Sequence, residues 1–118
     1  MKLKSVPALR ERKRYVFFRV HSTESFEFFD LKNAIMNSLM NWMGERRFSL
    51  AKPWVIKNLW DGRKMAGVAR CSHTSVDDVK MGLALVRQIG DSRVVIESIR
   101  VSGTIKSGKK KVKISDSA

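Results

Sequence analysis

The sequence predicts an α+β domain in which a four-stranded antiparallel sheet carries two helices on one face. Three observations predict it. Four short segments have strand composition, two longer ones repeat apolar residues at three- and four-residue steps, and they alternate as β-α-β-β-α-β. A chain of 118 residues, 43% of them apolar, fits one domain around one core.

The first strand is YVFFRVH, Tyr15 to His21, rich in aromatic and β-branched residues. Val16, Phe18 and Val20 form a uniformly apolar set expected to face the core. Tyr15, Phe17, Arg19 and His21 form a mixed set expected to face a partner or water. Ser22 to Ser25 then offers N-cap residues. From Phe26 to Trp42, the residues Phe28, Leu31, Ile35, Leu39 and Trp42 make a helix stripe, widened by Phe29, Met36, Met40 and Met43. Gly44 is a natural stop. Glu45 to Lys52 reads as a connection with a short helical turn.

PWVIKNLW, Pro53 to Trp60, reads as the second strand, with proline tolerated at its first position. Asp61-Gly62 is a hairpin signal, and KMAGVARCS, Lys64 to Ser72, pairs back across it. Gly67 and Ala69 would let a neighbouring group approach this strand closely. Ser75 or Thr74 caps the second helix, Asp77 and Asp78 suit its positive end, and Val76, Val79, Leu83 and Val86 form its stripe. Gly90 closes it, and the last strand runs from Ser92 to Gly103. This is the ferredoxin-like order, shared with RNA recognition motifs.

Charge is the strongest functional signal. Lys and Arg total 24 against 11 acids, a net charge of +13. Residues 1–14 form a basic arm and residues 106–118 a Lys-rich tail, flanking a body over 15–105 that carries only +4 of the total. Two arms of one sign suit a polyanion, nucleic acid first, because each phosphate they neutralise releases counterions. The bland alternative is a pair of solubilising tails.

Other chemistry is sparse. One cysteine, Cys71, excludes an intramolecular disulfide framework, and it reads as a buried strand residue. His21 and His73 lack partners at metal-ligand spacing, and neither GxGxxG nor GxxxxGK[ST] occurs. No catalytic residue and no metal or cofactor site is expected of this chain. Apolar runs fall short of a membrane span and the basic N-terminus lacks an apolar h-region, so a cytoplasmic protein is expected. The third strand offers no aromatic pair for base stacking, whereas Arg70 could supply a guanidinium fork. Among three tryptophans, core and interface roles are both open; Trp54, Trp60, Met36 and Met40 are the candidate protein contacts.

RKRYVFFRV, GVARCSHTSVDDVKMGLALVRQIG and VVIESIRVSGTIK, in that order, resemble ribonuclease P protein component 2 of archaea. That family is the counterpart of the eukaryotic Pop-five subunit of ribonucleases P and MRP. The resemblance spans roughly Arg12 to Lys106 and implies an RNA-recognition-motif-like fold without the base-stacking signature. It implies a subunit of the endonuclease that removes 5′ leaders from precursor tRNA, with chemistry carried by the RNA subunit and its magnesium ions. Implied partners are that RNA, precursor tRNA, the TIM-barrel-like component 3, and a second copy within a heterotetramer. RNA contact is expected at Arg10, Arg12, Lys13, Arg14 and Arg70, and at Lys106, Lys109, Lys110, Lys111 and Lys113. The rival readings are a general or ribosome-associated RNA-binding protein of this fold, and a protein-interaction module.

Overall fold

The computed structural model describes residues 12–106. Its centre is β1, Lys13–His21, whose alternate side chains Val16, Phe18 and Val20 are buried as the apolar periodicity requires. β1 lies between β3, Ala66–Ser72, and β6, Val95–Ser102, and is antiparallel to both. A short edge strand β2, Trp54–Val55, completes the order β2-β3-β1-β6. This is the split β-α-β arrangement the element order predicts.

Two helices cover one face. α1 spans Phe28–Ala51 and buries Leu31, Ile35, Leu39 and Met43 at four-residue steps. The stripe therefore turns onto Met43, and Trp42, expected within it, is 42% exposed. Gly44 breaks the helical backbone at φ +78° and ψ 166°, and the chain resumes helix through Ala51. Thus the stop and the short turn after it both exist, as a kink within one long element. The helix begins at Phe28 behind Glu27, with no side-chain cap, so Ser22 to Ser25 do not cap it. Ser22 Oγ instead accepts the Glu24 amide at 3.1 Å.

α2, Val76–Ala84, crosses α1 at Gly82. A Cβ there would stand 3.3 Å from Leu39 Cα, so only glycine lets the two helices approach this closely. The Ser38 hydroxyl donates to the Gly82 carbonyl at 2.6 Å and ties the crossing. Ser75 occupies the N-cap position without a side-chain bond. Asp78, expected to serve the helix end, reaches α1 instead: its Oδ1 accepts from Trp42 Nε1 at 3.1 Å and from the Arg47 guanidinium.

Two strands depart from the sequence reading. Pro53 to Trp60 is strand only at Trp54–Val55, after which Lys57–Leu59 turn as a 3-10 segment. The polar pair Lys57-Asn58 breaks the alternation that the flanking residues suggested. Trp60 thereby folds inward, stacked on Phe26 at 6.2 Å between ring centroids. The turn after it is built on Asp61, whose Oδ1 accepts the amides of Arg63 and Lys64. The second helix ends at Ala84, before Val86, and Gly90 does not close it. It sits at φ +61° in the two-residue turn of a small hairpin, β4 (Gln88–Ile89) with β5 (Ser92–Arg93). The last predicted strand is therefore split into β5 and β6.

The pairing of β6 with β1 is irregular. Phe17 faces Arg100 while Phe18 faces Ser98, so Ile99 is an extra residue, a β-bulge. The bulge reverses the side-chain alternation beyond it. Val101, opposite Val16, turns to the core; Arg100 and Ser102 turn to the face that carries neither α1 nor α2, the helix-free face among the described residues.

Candidate nucleic-acid interface

The helix-free face is assembled from four strands in register. One row runs Trp54, Arg70, Tyr15, Ser102 across β2, β3, β1 and β6. The adjoining row runs Val68, Phe17, Arg100. Lys13 and Ser72 flank the first row; Arg19 with Ala66 and Glu97 flank the second. The opposite parity, Gly67, Ala69 and Cys71, points inward under the helices.

Phe17 and Val68 make an apolar floor in this face, 5% and 3% exposed. Phe17 was expected to face a partner or water on a mixed face. The register neighbours of Phe17 and Val68 are long side chains, and Arg stems bury apolar surface while their heads stay hydrated. Arg70 and Arg100 sit half-buried beside the floor, and each has its Nε buried without a hydrogen-bond partner among the described residues. A buried guanidinium N–H is costly to leave unmade, so two such donors mark where an acceptor is missing. Trp54 is 46% exposed at the sheet edge, with Lys32 Nζ from α1 4.6 Å from its ring centroid.

The face has a sign gradient. At one end the basic arm enters the sheet: Lys13 lies on this face, and Arg14, half-buried, lies near Gly103 at the end of β6. His73 secures this entry, its amide donating to the Arg12 carbonyl at 2.8 Å. At the other end the acid Glu97 pairs with His21 at 2.9 Å. Lys106, exposed, lies four residues past Ser102 at the basic end of the sheet. Arg10, Lys109, Lys110, Lys111 and Lys113 lie outside the described residues.

Of the expected protein contacts, Trp54 and Met40 are exposed, whereas Trp60 and Met36 pack against the core. Cys71 is buried in β3, and burial pushes its thiol up to about 11. Among the described residues, no group of three or more His, Cys, Asp or Glu is placed to hold a metal ion. No described helix is long and apolar enough to cross a membrane.

The family model of the Rpp14/Pop5 family matches residues 14–113, which covers both helices and all of the sheet but its first residue, Lys13. The chain belongs to this family. It is 40% identical over 105 residues to ribonuclease P protein component 2 of Pyrococcus furiosus, covering 89% of this chain and 86% of that one. The Pyrococcus abyssi protein of the same name is 37% identical, over 94% of this chain and 93% of its own length. The component 2 of Archaeoglobus fulgidus is 32% identical across 89% of this chain and 92% of itself. In fold, the chain is similar to a chain in the cryo-EM structure of yeast ribonuclease MRP, at a TM-score of 0.61 and 11% identity. That match covers 90% of this chain and 92% of the yeast one. The family's fold is thus the sheet and two helices described above.

Arg70 was legible from sequence as a guanidinium fork on β3, where it sits half-buried. Arg100 and the apolar floor were missed. Strict alternation through β6 assigns Arg100 to the side of Ile96, which is core, and nothing local announces the bulge at Ile99 that reverses it.

Proposed function

We propose that this Rpp14/Pop5-family chain is a protein subunit of ribonuclease P, the ribonucleoprotein endonuclease that removes 5′ leaders from precursor tRNA. The observation that carries this reading is the identity to archaeal component 2 proteins over nearly the full length of each chain. In this reading the RNA subunit and its magnesium ions perform the cleavage, and the protein contributes no catalytic residue. Its part is electrostatic: phosphates crowded around a metal site repel one another, and Arg and Lys placed among them lower that cost. Arg12, Lys13 and Arg14 lead into the sheet at its basic end, in keeping with such contact. The Lys-rich tail, Lys109, Lys110, Lys111 and Lys113, extends the same charge in sequence. The TIM-barrel-like component 3 is the protein partner in this scheme, with Met40 exposed on α1 and Trp54 exposed at the sheet edge to receive RNA or protein.

The test is precursor-tRNA cleavage by the cognate RNA across a magnesium titration, with this chain, component 3, or both. The expected result is cleavage at lower magnesium only when both proteins are present. RNA binding without any shift in magnesium requirement would instead support a general RNA-binding protein.

A further inference from the structure

We infer that the helix-free face of the sheet, at its basic end, is a seat for a single-stranded segment of RNA. Phosphates would be held by Arg70 and Arg100, and a base stacked on Trp54. The inference rests on the ribonuclease P reading for the identity of the RNA and goes beyond it in assigning the surface. Sequence alone puts RNA contact in the arms and at Arg70; the geometry adds Arg100 and Trp54 and joins them in a built surface between the arms.

Four observations carry it. The two guanidinium groups lie on neighbouring rows either side of Tyr15 and Phe17, and both have a buried Nε with no acceptor among the described residues. A phosphate supplies acceptor oxygens that match a guanidinium fork. The row from Trp54 to Ser102 crosses four strands, a span of roughly 14 Å from strand spacing, which suits a short stretch of extended backbone. Trp54 offers one indole face, the other being occupied by Lys32 Nζ, so a stacked base would complete a cation-aromatic-base sandwich.

Charge complementarity selects the occupant. Lys13 borders the row on the same face and joins it to the basic arm, while the described acids in register on this face, Glu97 and Asp61, sit at the far end, Glu97 with His21 as its partner. A duplex is a poor fit because its bases are already stacked and paired. A single strand presents both phosphate and an open base face. The β-bulge at Ile99 is what makes the surface, since it brings Arg100 beside Phe17.

The experiment measures affinity of the full chain, in complex with component 3, for its cognate ribonuclease P RNA over a salt titration. Variants are Arg70→Gln with Arg100→Gln, Arg70→Lys with Arg100→Lys, Trp54→Leu, and Arg46→Gln on α1 as a control, each checked by thermal melting. The double Gln variant should lower the salt slope by about 1.4, from about 0.7 per phosphate lost on a single strand. The double Lys variant should keep the slope and bind more weakly than the parent, because the charge remains and the fork is gone. Trp54→Leu should weaken binding by at least about fivefold with the slope unchanged. Arg46→Gln should match the parent. If the double Gln and Trp54 variants bind RNA as the parent does, the seat is overturned while the subunit reading stands. Loss of component 3 binding in these variants, with RNA affinity intact, overturns it in favour of a protein contact. A parent complex that shows no affinity for the RNA defeats the ribonuclease P reading itself.

Discussion

The two faces of the sheet are built from the same strands and obey different rules. Under the helices, Val16, Phe18, Val20, Ala69, Cys71 and Ile96 interlock with Leu31, Ile35, Leu39, Val79 and Leu83, all apolar and closely packed. On the opposite face the buried apolar side chains are Phe17 and Val68, joined by the polar Ser102, within a frame of Tyr15, Arg70 and Arg100. Covering a surface with helix excludes water completely, so polar groups vanish from it. Covering it with arginine stems leaves charged heads at the rim, so an apolar floor and a polyanion-binding surface can share one face.

Adjacent residues of one strand break that comparison most directly. Phe18→Ala empties a closed site and should cost about 3–5 kcal/mol. Phe17→Ala, one position along and facing the other way, opens to solvent rather than to a cavity and should cost only the transfer term, about 1.5–3 kcal/mol. Urea unfolding of both variants measures the difference; equal losses would mean that the free face is as closely packed as the covered one.

Cys71 reports on the covered face through pH. Its folded thiol titrates near 11 against an ordinary 9.0, raised by burial. Between those values the unfolded chain loses the proton and the folded chain keeps it, so stability falls as pH rises. The contribution is whole below about pH 9 and is lost as pH passes about 11, on the order of 2–3 kcal/mol. Denaturant midpoints of the parent and of Cys71→Ala across this window should converge in slope at pH 7–8 and diverge above 9. The same burial should leave the thiol unreactive toward a disulfide reagent at neutral pH.

The smallest effect tests how tightly the covered face is closed. A Cβ on Gly67 would lie 2.8 Å from Phe18 Cζ and 3.0 Å from Trp60 Cε3. Gly67→Ala should therefore destabilise by about 1 kcal/mol net, overpacking of ~1–3 kcal/mol offset by the backbone entropy that alanine recovers. A thermal melt unchanged or raised would show that Phe18 and Trp60 yield without cost.

Much of this molecule was legible in its residues. The inward parity of Val16, Phe18 and Val20, the helix at Leu31 to Leu39, the close approach at Gly67 and the burial of Cys71 follow from local periodicity and composition. Those signals repeat along the chain and are enforced by the same hydrophobic demand wherever a helix or strand forms. Where the structure differs, a contact distant in sequence decided the outcome. Asp78 serves Trp42 and Arg47 rather than its own helix end, because α1 passes within reach. Trp60 turns inward because Phe26 and Gly67 leave it a place.

By itself, then, the sequence determined the order of elements, the residues of the core and the basic arms, since each depends on spacing or charge within a short stretch. Tertiary structure alone decided the placement of Arg100. Its direction depends on the pairing of β6 with β1, where one unmatched residue, Ile99, moves every later side chain to the opposite face.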